Sequence, residues 1–262
     1  MDYQNITGSV DLLARRTGQF LLESLGKLDE GMIRSKGQMD FVTDIDKESE
    51  KRLVEGLSEI IPEAGFIAEE GTVTRRGSRF NWVVDPLDGT TNFIHGVSPF
   101  AISIALMEDD ELVSGVIYDP ARDECFAAYR DGPSTLNGKT IQVSERERLA
   151  DSLIATGFPY TDFSRLESYM ETLLEMMAHT HGIRRLGSAA VDLAYVACGR
   201  YDAFWEYHLK PWDVAAGTLL IKQAGGTVCD FFGGQDFLFG STFVATNGSI
   251  HEEFMSVLEK YF

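Results

Sequence analysis

The stretch that most constrains this chain runs from 80 to 95: Phe-Asn-Trp-Val-Val-Asp-Pro-Leu-Asp-Gly-Thr-Thr-Asn-Phe-Ile-His. Phe80, Trp82, Val83 and Val84 read as a buried strand. Pro86 has no N–H with which to continue a ladder, so the chain is expected to turn there and leave Asp85 at the strand end. Asp88 follows, and Gly89-Thr90 can open a new segment with free backbone amides. Two carboxylates flanking the Leu87 carbonyl make a hard, all-oxygen donor set. It suits Mg²⁺ or Mn²⁺ rather than a metal that seeks thiolate or imidazole. Amides of Gly89 and Thr90 beside such an ion suit a phosphate. Taken alone, Asp-Pro-x-Asp-Gly reads first as a polar turn, because Asp, Pro and Gly are ordinary turn residues. The other acids of the chain change that reading.

A length of 262 residues allows one large domain or two intimately packed ones. The formal net charge of −18 argues against a nucleic-acid partner, which calls for a basic stripe. It also looks awkward for an enzyme acting on a phosphate anion, unless several acids hold divalent cations that dominate the local field. Cys125, Cys198 and Cys229 are far apart, and no Cys/His zinc spacing exists, so a reduced, cytoplasmic protein is expected. The five histidines form no ligand pair by spacing. The first residues lack the basic and apolar regions of a secretory signal, and no run approaches the ~18 apolar residues of a membrane span, so no membrane role is expected.

Ile6, Val10, Leu13, Thr17, Phe20 or Leu21, Leu25 and Leu28 recur at helical spacing and predict a packing helix over about 3–28. A polar, glycine-flanked loop containing Lys36 follows. Asp44-Ile45-Asp46 opens a second helix that Pro62 stops; acids there complement the helix dipole, which is itself a sufficient reason for Asp44 and Asp46. Residues 65–68 predict a buried strand ending in Glu69-Glu70, a pair that is either solvated or turned toward Asp85 and Asp88. Strands follow near 100–106, 112–118 and 125–129, with Asn137-Gly138 as a tight turn. A polar segment then suggests a boundary between 1–145 and 146–262, two subdomains of one compact unit, with Asp85 and Asp88 in the first and Asp213 in the second. Beyond it, strands at 153–156, 203–206, 227–231 and 243–246 alternate with helices at 163–179, after Gly187-Ser188, after Trp212-Asp213 and at 250–261. This alternation suggests an α/β layer. The Met-rich helix reads as core or as an oligomer contact.

Glu69, Asp85, Asp88 and Asp213 therefore all sit at element ends, positions that converge at one edge of layered α/β structures. Such convergence is very unfavourable without cations and natural with two or three Mg²⁺.

The 82–95 stretch resembles the first signature of the inositol monophosphatase family, and Trp212-Asp213-Val214-Ala215-Ala216-Gly217 resembles its second. Lys36 with Asp40, Val42-Thr43 and Asp46, then Phe66-Ile67-Ala68-Glu69-Glu70, then Gly187-Ser188-Ala189-Ala190 match further family marks in order, and Trp205-Glu206 falls just upstream of Lys210-Pro211, as in bacterial members. The resemblance spans nearly the whole chain. It implies a layered αβαβα sandwich, Mg²⁺ dependence, lithium sensitivity, a homodimer, and hydrolysis of a small phosphate monoester, myo-inositol 1-phosphate first, without a phosphoenzyme. It implies Glu69, Asp85 and the Leu87 carbonyl for one metal, Asp85, Asp88 and Asp213 for another, and a water-mediated reach of Glu69 to a third. Thr90 and Asp46 resemble the pair that orients and deprotonates the attacking water. Gly89 and Thr90 are expected on the phosphate, Gly187, Ser188, Ala189 and Glu206, with Asp88, around the substrate, and Lys36 in a mobile loop.

Other readings remain. A phosphatase with an aspartyl nucleophile carries Asp-x-Asp-x-Thr, whereas two residues separate Asp85 from Asp88. Fructose 1,6-bisphosphate is the alternative substrate within the family. A regulatory or scaffold protein with an incidental metal site is the alternative from another class.

Overall fold

Alternation of side chains along the strands sorts this protein into five layers. The computed structural model describes residues 1–27, 33–35, 41–73, 75–160 and 162–262, with the backbone alone at 33–35, 41 and 42. Lys36 and Asp40 lie outside the described residues.

Helix α1 (Tyr3–Ser24) is N-capped by Asp2 and ends before Leu25, four residues short of the span its periodicity predicts. Strands β1 (Ile33–Ser35) and β2 (Phe41–Thr43) form a small antiparallel ladder ahead of α2 (Asp44–Ile60). A seven-stranded sheet follows in chain order: β3 (Gly65–Ala68), β4 (Phe80–Asp88), β5 (Ala101–Glu108), β6 (Glu111–Asp119), β7 (Glu124–Tyr129), β8 (Thr135–Leu136) and β9 (Lys139–Thr140). Only β3 and β4 pair in parallel within it. The short α3 (Thr90–Ile94) leaves β4. Asn137 and Gly138, at φ 48° and 76°, make the β8–β9 turn, the left-handed geometry that Asn-Gly predicts.

The second sheet has the order β11-β10-β12-β14-β13. Its strands are β10 (Leu153–Thr156), β11 (Gly182–Arg184), β12 (Ala203–Tyr207), β13 (Thr227–Cys229) and β14 (Thr242–Thr246). Its helices are α4 (Leu166–His179), α5 (Ala189–Ala197), α6 (Pro211–Gln223) and α7 (His251–Leu258). Strand β11 is too short to show a period and was not foreseen.

Trp82 and Val84 face α1 and α2, packing in one core with Val10, Leu13, Leu53 and Leu57. Val83 points the other way, into a second core with Val191 and Leu193 of α5, Val214 and Leu220 of α6, and Phe204 and Phe243 of the second sheet. Trp205 and Tyr207 look away from that core toward Tyr169 of α4 and Phe254 of α7. A strand's period of two thus places neighbouring residues in different layers. Helix α6 lies between two sheets, so its residues from Val214 to Ile221 are buried on every side. The result is the expected αβαβα sandwich. Among the described residues no helix is long and apolar enough to cross a membrane.

One expectation fails. The chain does not turn away at Pro86. Strand β4 continues to Asp88 through a register shift in which Pro86 and Leu87 together oppose Ile102, between the pairs Asp85–Ser103 and Asp88–Ala101. The bulge absorbs the missing proline N–H without ending the strand.

Candidate active site

The bulge builds the site. It sets Asp85 and Asp88 on the same edge, and Asp85 Oδ1 accepts the Leu87 N–H at 2.9 Å. Strand β3 runs parallel to β4, with Ala68 opposite Val84. Glu69 donates its N–H to the Val84 carbonyl at 3.2 Å and so emerges beside Asp85. The open question about Glu69 is thereby resolved: it faces Asp85 closely enough to repel it and to share a hydrogen bond with it. Ser103, the β5 partner of Asp85, donates to the Trp212 carbonyl at 3.0 Å. That contact fixes the start of α6 and brings Asp213 to the group. Asp213 stands in the first turn of α6, where its Oδ2 accepts the Lys210 N–H at 2.6 Å. Asp88 Oδ2 accepts from the Ser188 hydroxyl at 2.5 Å and the Ala190 N–H at 2.7 Å, which ties it to the start of α5. One carboxylate oxygen from each of Asp85, Asp88 and Asp213 lies within 4.8 Å of the others.

Burial, then repulsion from Glu69 and Asp88, holds Asp85 and Asp213 well above the usual carboxylate range. Asp88 is raised by burial against the pull of its donors from Ser188 and α5. Carboxylates this close ionise together only beside positive charge. The donor set is all oxygen: three aspartates, Glu69 alongside, and the Leu87 carbonyl. It fits hard divalent cations.

Behind this edge, one face of α2 grips three separate segments. Asp46 Oδ2 accepts the Thr43 N–H at 2.9 Å and the Thr43 hydroxyl, closing a capping box. This leaves Oδ1 to accept the Thr90 hydroxyl at 3.0 Å, a hydroxyl also 3.0 Å from the Leu87 carbonyl. Burial raises Asp46, against hydrogen bonds from Thr43 and Thr90 that lower it. Ser49 donates to the Pro86 carbonyl at 2.9 Å. Glu50 accepts the N–H groups of Glu70 and Thr72 at 2.8 and 2.7 Å. Asp46 thus serves the helix terminus and Thr90 at once, while Asp44 stays exposed.

A cavity of about 350 Å³ opens over these groups. Glu69, Asp85, Leu87, Asp88, Gly89, Thr90, Gly187, Ser188, Ala189, Glu206 and Asp213 all line it; Asp46 stands behind Thr90. Asn92 joins its two walls by donating to the Pro99 and Leu186 carbonyls at 2.7 and 2.8 Å. Gly89, at φ 89°, passes so near the Gly187 carbonyl that a Cβ would sit 3.1 Å from it. Glu206 ends the cavity wall on β12, and burial, with help from Asp88 and against Arg185, pushes it up to about 8. Sequence reasoning missed Gly157, Arg185 and Asp192 in the lining, and Ser49 and Glu50 behind it. A signal existed for Asp192, the one charge in the otherwise apolar α5, and for Ser49 and Glu50, polar residues in register with buried Leu53 and Leu57.

Fold and site together define a layered α/β phosphatase with an acid-lined active-site edge. The chain belongs to the inositol monophosphatase family, whose model matches residues 2–261. It is 42% identical over 248 residues to the inositol-1-monophosphatase of Mesorhizobium japonicum, covering 94% of this chain and 93% of that one. It is 41% identical over 253 residues to the Nus factor SuhB of Pseudomonas aeruginosa, covering 95% and 93%. Its fold matches the crystal structure of the extragenic suppressor protein SuhB of Bartonella henselae with a TM-score of 0.94 at 40% identity, over 98% of this chain and 100% of that one.

Proposed function

We propose that this protein hydrolyses a polyol phosphate monoester, myo-inositol 1-phosphate by preference, with Mg²⁺ as its ion and water as the nucleophile. The observation that carries the reading is the convergence of Asp85, Asp88 and Asp213 beside the Thr90–Asp46 hydrogen bond. Glu69, Asp85, the Leu87 carbonyl, Asp88 and Asp213 are the groups that hold the ions. When bound, such ions supply Lewis acidity and offset charge on the transferring phosphoryl group. Thr90 Oγ1 orients the attacking water, and Asp46 Oδ1 takes the proton that Thr90 relays. A carboxylate raised by burial is a better base for this than an exposed one. The Gly89 and Thr90 amides face the phosphate, while Gly187, Ser188, Ala189 and Glu206 meet the alcohol. Three free cysteines fit a reducing compartment.

The test is phosphate release in Mg²⁺ from myo-inositol 1-phosphate, fructose 1,6-bisphosphate, glycerol 2-phosphate and adenosine 3′,5′-bisphosphate. The highest kcat/KM is expected for the inositol ester; a preference for fructose 1,6-bisphosphate would replace the substrate and keep the chemistry. A second reading rests on the relative named as a Nus factor: a regulatory partner role. Asp88→Asn separates the two, since it lowers turnover by about 10²–10³ and leaves a site-independent partner bound in a pull-down.

A further inference from the structure

We propose that Asp192 is a specificity-determining residue: with Glu206, it receives the ring hydroxyls of a polyol ester on the wall formed by α5 and β12. This rests on the phosphate-monoester reading and deepens it.

Asp192 is 1% exposed on a helix whose buried residues are otherwise apolar. Its Oδ1 has no hydrogen-bond partner. A buried carboxyl oxygen without a partner lowers stability, so a fold that retains one needs a reason outside packing. The surroundings supply it. Asp192 lines the cavity, and the charged groups that act on it, Glu206, Asp88 and Arg185, line the cavity too. No ion pair joins Asp192 to Arg185; among the described residues Arg185 is the one cation of the lining, and its guanidinium lies 5.6 Å over the Phe158 ring.

Gly157 gives the wall its shape. A Cβ there would lie 2.0 Å from the Glu206 carboxylate, so only bare backbone leaves room for that group. The wall therefore holds two carboxyls, both almost wholly covered, with Arg185 beside them. Carboxyl oxygens accept from hydroxyls, and a carboxyl that keeps its proton also donates to one. A polyol ring offers several hydroxyls that donate and accept. A second phosphate on this wall would meet two acids and one arginine, a poor match. The class of ligand is thus a polyhydroxylated ring bearing one phosphate.

The experiment compares Asp192→Leu and Asp192→Asn on myo-inositol 1-phosphate and 4-nitrophenyl phosphate, with thermal melts of each. In the Leu variant the ratio of the two kcat/KM values should fall about 5- to 10-fold, the size of one lost neutral hydrogen bond, through KM rather than kcat. The Asn variant keeps an acceptor and a donor in place and should recover most of the ratio. If Asp192→Leu does not fold, Asp192→Ala, which adds no bulk, is read the same way. An unchanged ratio in a folded Leu or Ala variant overturns the proposal, as does an equal loss on both substrates. Absence of phosphate release from both substrates in the wild type would instead overturn the proposed function, and this inference with it.

Discussion

The Thr90 hydroxyl reaches Asp46 Oδ1 at 3.0 Å, joining the exit of β4 to the first turn of α2. The other oxygen of Asp46 is occupied by Thr43, so the carboxylate cannot rotate away without breaking the capping box. Thr90→Val and Asp46→Asn should each lower kcat by about 10²–10⁴ with little change in KM, the usual range for a proton-transfer group. Steady-state kinetics on the inositol ester check this; a matching rise in KM alone would move both residues from chemistry to binding.

Mutual repulsion among the acids makes the metal-free protein a strained one. Asp213→Asn removes one raised, half-buried carboxyl, so the variant should melt higher than wild type in chelator. In Mg²⁺ the order should reverse, because an ion that binds only the native state raises its stability with concentration. Melting curves with and without the ion read both effects.

Glu206 gives a pH signature. Its folded value, about 8, stands above the ordinary 4.5 because burial disfavours the charge. A raised carboxyl contributes stability that is complete below its unfolded value and is lost as pH rises toward the folded one. Between those limits metal-free protein should lose up to about 1.4 kcal/mol of stability per pH unit from this group. Glu206→Gln should flatten that slope, seen in urea titrations from pH 5 to 9.

Much of this site was legible because chemistry-bearing residues sit where periodic segments stop. Glu69 follows a strand, Asp88 precedes a glycine, and Asp213 opens a helix, and each reading needs only local pattern. Pro86 was misread for a physical reason: a proline forbids one ladder bond, but two residues opposite one let a strand pass through it. Asp192 carried a signal as the one charge in apolar α5, but Arg185 and Gly157 were not legible, because they join the site only once α5, β10 and β12 are packed. No local spacing announces that a glycine after β10 will face a carboxylate at the end of β12.

Helix α4 leaves Leu166, Met170, Leu174 and Met177 exposed, at spacings that form one stripe. The homodimer implied by family resemblance should bury an apolar face of this kind. Light scattering should give about 58 kDa, twice the 29.1 kDa chain, and Leu174→Glu should shift the mass toward the monomer. A wild-type mass near 29.1 kDa would remove the dimer from the account.

The central claim is that the acids gathered at the β4 bulge perform metal-dependent phosphoryl transfer. Phosphate release from myo-inositol 1-phosphate, measured for wild type and Asp88→Asn in Mg²⁺ and again in excess chelator, tests it most directly. The wild type should turn over in Mg²⁺ and stop in chelator, and the folded Asp88→Asn variant should fall by about 10²–10³ in kcat, the loss typical of one electrostatic element. Turnover that persists in chelator, or an Asp88→Asn variant as fast as wild type, would contradict it.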